Sequence, residues 1–131
     1  MKNLKPDDAG YLLLRILFGG LLVYHGYGKL ITFSEKVNVF ADPLGIGSGL
    51  SLSLAIFAEF ICGILIILGL RVRLTTIPVF ITMAVAFFLV HANDSFSIKE
   101  AAFAYLGLSA VLIIYGSGKI SIDQLFQKPR N

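Results

Sequence analysis

Four apolar stretches dominate this chain, at about residues 10–32, 51–70, 74–91 and 98–116, and short polar connectors separate them. At about 1.5 Å of rise per residue, each is long enough as a helix to cross a hydrocarbon core about 30 Å thick. Backbone polar groups in lipid must be bonded within their own segment, and a helix does that. Short connectors make consecutive helices antiparallel neighbours. The expected fold is therefore all-α, an integral membrane antiparallel four-helix bundle forming one domain over residues 1–131. Composition agrees: 56% of residues are hydrophobic and 15% charged, against about 25% charged in soluble domains.

Charge inside such stretches needs a reason. The first ends in Tyr24-His25-Gly26-Tyr27-Gly28-Lys29, with Arg15 further back. Arg15, Phe18, Leu22, His25 and Lys29 follow at steps of three or four, which predicts one polar-bearing helix stripe. The second carries Glu59 near its centre, the third ends at His91, and the fourth has Lys99 and Glu100 in its first turn.

Local signals place the ends. Asp7 and Asp8 suit a helix N-terminus. Residues 36–40 are expected to form a short interfacial helix that Pro43 ends. Gly69 closes the second span and Gly116-Ser117-Gly118 the fourth, while Pro78 falls near the start of the third. Gly19, Gly20, Gly63 and Gly107 are positions where a neighbouring helix can approach closely.

Several classes are excluded or disfavoured. A single cysteine, Cys62, rules out an intramolecular disulfide and a Cys-x-x-Cys motif. Gly45-Ile46-Gly47-Ser48-Gly49 lacks the spacing of a nucleotide-binding fingerprint and is expected to be a flexible loop. The first span has no small-x-small cleavage site and is expected to stay uncleaved. No nucleic-acid partner is expected.

Lys2, Lys5, Arg71, Arg73, Lys119, Lys128 and Arg130 fall on the side of the termini, whereas Lys36 and Lys99 fall on the other. The positive-inside bias predicts a multi-pass cell-membrane protein with both termini cytoplasmic. Counted at 1.5 Å per residue from the cytoplasmic ends, His25 lies at about 22 Å, Glu100 at about 24 Å, and Lys29 and His91 at about 27 Å. Glu59 falls at about 16 Å and Arg15 at about 8 Å. A polar site is therefore expected in the outer third of the bundle, between spans one, three and four, with Glu59 beneath.

Two readings fit these residues. In one, they are helix-pairing contacts: Lys29 with Glu100, and Glu59 with Arg15 or His25. In the other, His25, Glu59 and His91 handle protons, and Arg15, Tyr24, Tyr27, Lys29, Glu100 and Tyr105 hold a quinone head group, which needs donors for two carbonyls and a flat apolar wall. His25, His91, Glu59 and Glu100 are permitted metal ligands, but their spacing does not single out a metal site.

Together these segments resemble the DoxX family of small four-span membrane proteins. The resemblance is carried by Leu14-Arg15, Tyr24 through Lys29, Phe40 through Ile46, Ala58-Glu59 with Gly63, Leu68 through Arg73, His91 with Asn93, and Gly118 through Asp123. It implies a shared polar core of Arg15, His25, Lys29, Glu59 and His91, and a quinone-linked membrane oxidoreductase subunit or accessory, since the family is named from a thiosulfate:quinone oxidoreductase. A redox partner subunit and a homo-oligomer are both compatible with it. The alternative is a non-catalytic assembly or partner-binding protein whose polar core is structural.

Overall fold

The computed structural model describes residues 3–127. Among them the chain is helical throughout its regular structure, and four helices are long and apolar enough to cross a membrane. Helix α1 spans Pro6–Ile31. Its first turn holds Pro6, Asp7 and Asp8, and Asp8 Oδ2 accepts from the Lys5 N–H at 2.7 Å. That bond satisfies a donor the helix start leaves free.

Helix α2 is a single turn, Phe33–Lys36. The connector helix expected at 36–40 thus forms earlier, because the Thr32 carbonyl accepts from the amides of Glu35 and Lys36. Beyond it the chain turns.

Helix α3 spans Ser48–Leu68, and α4 spans Val72–Val90. Both begin two to three residues before the apolar runs that announced them. Gly69 ends α3 at φ 74°, a left-handed conformation that glycine takes without a Cβ penalty. Arg71 comes next but one at φ 45°, which a side chain tolerates less well; its N–H donates to Asp123 Oδ2 at 2.7 Å and holds it there. Helix α4 continues through Pro78. Helix α5 spans Phe96–Tyr115 and stops at Gly116, φ 75°. The tail forms α6, Ile122–Phe126, with the Ser121 hydroxyl accepting from Gln124 N.

All four spans feed one core: Phe18 and Leu22, Cys62 and Ile66, Val72, Val79 and Met83, and Leu112. Helix α1 packs mainly on α3, and α4 mainly on α5. The first pairing depends on glycine. A Cβ at Gly19 would lie 2.8 Å from the Gly63 carbonyl oxygen, and one at Gly26 would lie 2.5 Å from Phe60 N. Gly20 and Gly107 face open space and serve no contact of this kind.

The buried stripe of α1 is Arg15, Phe18, Gly19, Leu22 and Gly26. The expected stripe thus holds as far as Leu22 and then runs through Gly26 rather than His25, which is exposed. Backbone contact with Phe60 leaves room only for a glycine there.

Candidate intramembrane pocket

Two interruptions of regular α-helix shape the site. Phe57–Ile61 in α3 and Ala86–Val90 in α4 are π-helical turns, closed by Cys62 N to Phe57 O and by His91 N to Ala86 O. Each widens the helix and turns the later side chains to a new direction. Both border a cavity of about 560 Å³ enclosed by the end of α1, the connector, α3 and α4.

Its walls are mostly apolar: Phe40, Pro43, Leu44 and Ile46 from the connector, Leu54 and Phe57 from α3, and Pro78, Ile81 and Val85 from α4. The polar groups are few. Lys29 and Glu59 form an ion pair, Nζ to Oε1 3.0 Å, with side chains 23% and 6% exposed. His91, Thr82 and Ser51 complete the polar lining. His91 Nδ1 lies 2.7 Å from Asp94 Oδ2, which orients the ring on the turn after α4.

The connector is built as a cover. Asp42 Oδ1 accepts from Ile46 N at 3.0 Å and Ser51 Oγ at 2.9 Å, and Oδ2 accepts from Gly47 N at 2.8 Å. This ties the turn at 42–47 to the first turns of α3. The hydrogen bond from the Gly47 amide, joined by those from Ser51 and Ile46, holds the Asp42 carboxyl below its ordinary value. The glycine-rich segment expected to be a flexible loop is pinned by this one carboxylate. Sequence reasoning left the connector out of the site, although an aspartate ahead of Gly45-x-Gly47 is a turn signal.

The other expected site residues lie elsewhere. Arg15 is buried about 21 Å from Lys29 along α1, counting its rise. Its guanidinium donates to Ile66 O at 3.0 Å, Ile67 O at 2.9 Å, Ser117 O at 2.8 Å and Ile120 O at 2.5 Å. Three of these, Ile67 O, Ser117 O and Ile120 O, are carbonyls that the end of α3 and the corner after α5 leave without a main-chain partner among the described residues, and Ile66 O accepts from Gly69 N as well. Arg15 therefore does not pair with Glu59.

His25 sits with its ring edge toward Tyr24 and Tyr105, centroids 5.5 and 6.1 Å away, outside the cavity. Tyr24 is exposed, Tyr27 packs beside Phe60, and Tyr105 lies against Phe18. Glu100 is exposed and makes no ion pair among the described residues, so Lys29 is paired with Glu59 instead. His25, His91, Glu59 and Glu100 do not gather into a metal-binding group among those residues.

The cavity lies between spans one, two and three, with no lining residue from α5. Depth along a helix axis set the level of Lys29 and His91 but not the direction each side chain takes. The π turns decide that for Glu59 and His91, and the packing of the unbroken helix α1 on α3 decides it for Lys29.

The DoxX family profile matches residues 10–92. That segment holds Arg15 and every lining residue of the cavity. Two proteins of Haemophilus influenzae, each described as an uncharacterized protein, are similar to this chain. One is 28% identical over an alignment 140 positions long, covering 98% of this chain and 99% of its own length. The other is 27% identical over 101 residues, covering 73% of this chain and 67% of its own. No solved structure matches. With the family profile covering more than half of its length, and four apolar helices in a bundle, this membrane-embedded chain belongs to the DoxX family.

Proposed function

We propose that the cavity binds the head group of a membrane quinone and that the chain serves as the quinone-binding subunit of a membrane oxidoreductase. The observation that carries this reading is the Lys29–Glu59 pair set in an otherwise apolar cavity with His91 also in its wall. The volume is in the range of small-molecule sites, and few polar groups in an apolar wall is their usual composition. Phe57 and Pro78 offer flat apolar surface, and Lys29 and His91 offer donors for carbonyl oxygens. Leu54, Phe57 and Ile81 are exposed at the protein surface as well as lining the cavity, which gives an apolar ligand a route in from the bilayer.

When bound, a quinone takes up two electrons and two protons to become a quinol. The electrons come from a redox partner protein, because a chain with one cysteine has no dithiol to offer. Glu59 and His91 are the groups of this chain placed to pass protons, and Lys29 stands beside Glu59 as its counter-charge. His25 stands outside this arrangement, packed on Tyr105.

The cations fit a placement of this cavity toward the outer face. Lys5, Arg71, Arg73 and Lys119 lie at the opposite end of the bundle, on the side read as cytoplasmic. Lys2, Lys128 and Arg130, which also entered the sequence-based orientation, lie outside the described residues.

The test is quinone content and affinity of protein purified in mild detergent. Wild type should retain quinone, Glu59→Gln and His91→Ala should lose at least about tenfold in affinity, as expected when a buried polar partner of a ligand is removed, and His25→Ala should bind like wild type. Folded wild type that binds no quinone would leave the polar core as a purely structural device of a partner-binding protein.

A further inference from the structure

A second cavity, of about 440 Å³, lies at the opposite end of the bundle from the Lys29–Glu59 pair. It is formed where the α3–α4 turn meets the corner between α5 and α6. Arg71, Arg73, Asp123 and Gln124 supply its polar wall, and Leu74 and Tyr115 its apolar one.

The charges here are not consumed by the fold. The Arg71 guanidinium makes no hydrogen bond or ion pair among the described residues. Arg73 uses one donor, Nη2 to the Ile114 carbonyl at 3.1 Å, and its stem lies across Gly116, where a Cβ would come 3.0 Å from Nε. The Asp123 carboxylate, in contrast, is engaged: Oδ2 accepts from Ser117 Oγ at 2.5 Å and from Arg71 N at 2.7 Å. Among the described residues, two guanidiniums against one carboxylate leave the wall one positive charge in excess.

The backbone is arranged to keep Arg71 there. Its φ of 45° is a conformation that favours glycine, yet an arginine occupies it, anchored through its own N–H. The Asp123 bond keeps this turn closed while leaving the Arg71 side chain at the cavity.

Position in the membrane narrows the ligand. The cavity sits at the ends of three spans, which is the depth of phospholipid head groups. Leu74 and Tyr115 are well exposed beside it, and α6 nearby presents Leu125 and Phe126 outward, each 79% exposed. A ligand here meets cations at one end and a lipid-facing apolar strip at the other.

We propose that Arg71 and Arg73 bind a singly charged phosphodiester, the phosphate of an anionic phospholipid whose acyl chains lie along Leu74 and Tyr115. The excess of one positive charge matches one phosphodiester. Free phosphate shares the recognising chemistry but makes no use of the apolar strip, so the two sources can be separated.

The experiment is native mass spectrometry of the full chain in a nonionic detergent, offered equal amounts of phosphatidylglycerol and phosphatidylcholine. Wild type should retain phosphatidylglycerol with a preference of roughly tenfold, as two juxtamembrane arginines allow. Arg71→Gln removes a side chain with no partner among the described residues, so it should fold normally and lose most of that preference. Arg71→Lys should keep part of it, and Lys119→Gln, on the same side but outside the cavity, should keep all of it. Equal retention of the two lipids by wild type, or an unchanged preference in Arg71→Gln, overturns the proposal. Displacement of the lipid by millimolar inorganic phosphate overturns the lipid as its source.

Discussion

Lys29 and Glu59 are 30 residues apart in the chain and 3.0 Å apart at Nζ and Oε1, so the last turn of the first span is tied to a π-helical turn in the second. Neither partner would be tolerated alone. An ionised carboxylate buried among apolar side chains carries a large desolvation penalty, which the ammonium offsets.

Lys29→Met should therefore destabilise the bundle by about 3 kcal/mol, the lower end for a buried pair because Lys29 keeps some exposure. Adding Glu59→Leu to Lys29→Met should recover most of the loss, since removing both charges leaves no unpaired group. Thermal unfolding in detergent measures both. A double variant no more stable than the single one would show that the pair is not the main interaction of either residue.

Arg15 reaches four carbonyls from two parts of the chain with one planar group. Arg15→Lys keeps the charge but loses the fork, so it should cost about 1–3 kcal/mol through carbonyls left unpaired. The same melting assay reads it, and a variant that melts with wild type would mean that water satisfies those carbonyls.

Gly26→Ala should be poorly tolerated, because the new methyl meets the Phe60 backbone at 2.5 Å and the two helices must separate. A cost of about 1–3 kcal/mol is the usual scale of overpacking. Gly20→Ala, which faces open space, is the matched control and should fall within about 0.5 kcal/mol of wild type or slightly above it.

The pH dependence of the cover over the first cavity rests on Asp42. Its folded-state pKa lies below the ordinary value of 3.8, first because of the Gly47 amide. Such a group contributes stability that is fully present above the unfolded value and is lost as pH falls through the folded one. Amides of Ile46 and Gly47 should thus stay protected from hydrogen exchange at neutral pH and open only below the ordinary carboxylate range. Asp42→Asn should weaken that protection at neutral pH. Equal protection in the two proteins would mean that the turn is held by other contacts.

Much of the fold was legible because the apolar runs are long and their ends carry Gly69 and Gly116. Glu59, Lys29 and Arg15 stood out as costly charges in apolar helices, and all three proved to be bonded and largely buried. Their partners were not legible. A π turn adds a residue to a helix, which rotates every later side chain by about 100°, and no residue type in Phe57–Ile61 announces it. Arg15 has main-chain acceptors, so no acidic residue in the sequence could have pointed to them. The absence of α5 from the first cavity has the same root: a count along the axis gives height, and azimuth comes only from packing.

The bonds of Arg15 also set an order for synthesis. Its acceptors lie 51 to 105 residues further along the chain, at Ile66 and then at Ile120. A ribosome delivers the arginine to the membrane before any of them exists. The first span thus precedes all its acceptors: two arrive with the end of the second span, and the other two only with the corner after the last. Assembly of this small bundle is therefore completed from its far end, and a chain truncated before Ser117 would leave its earliest helix with only half the acceptors of its buried arginine.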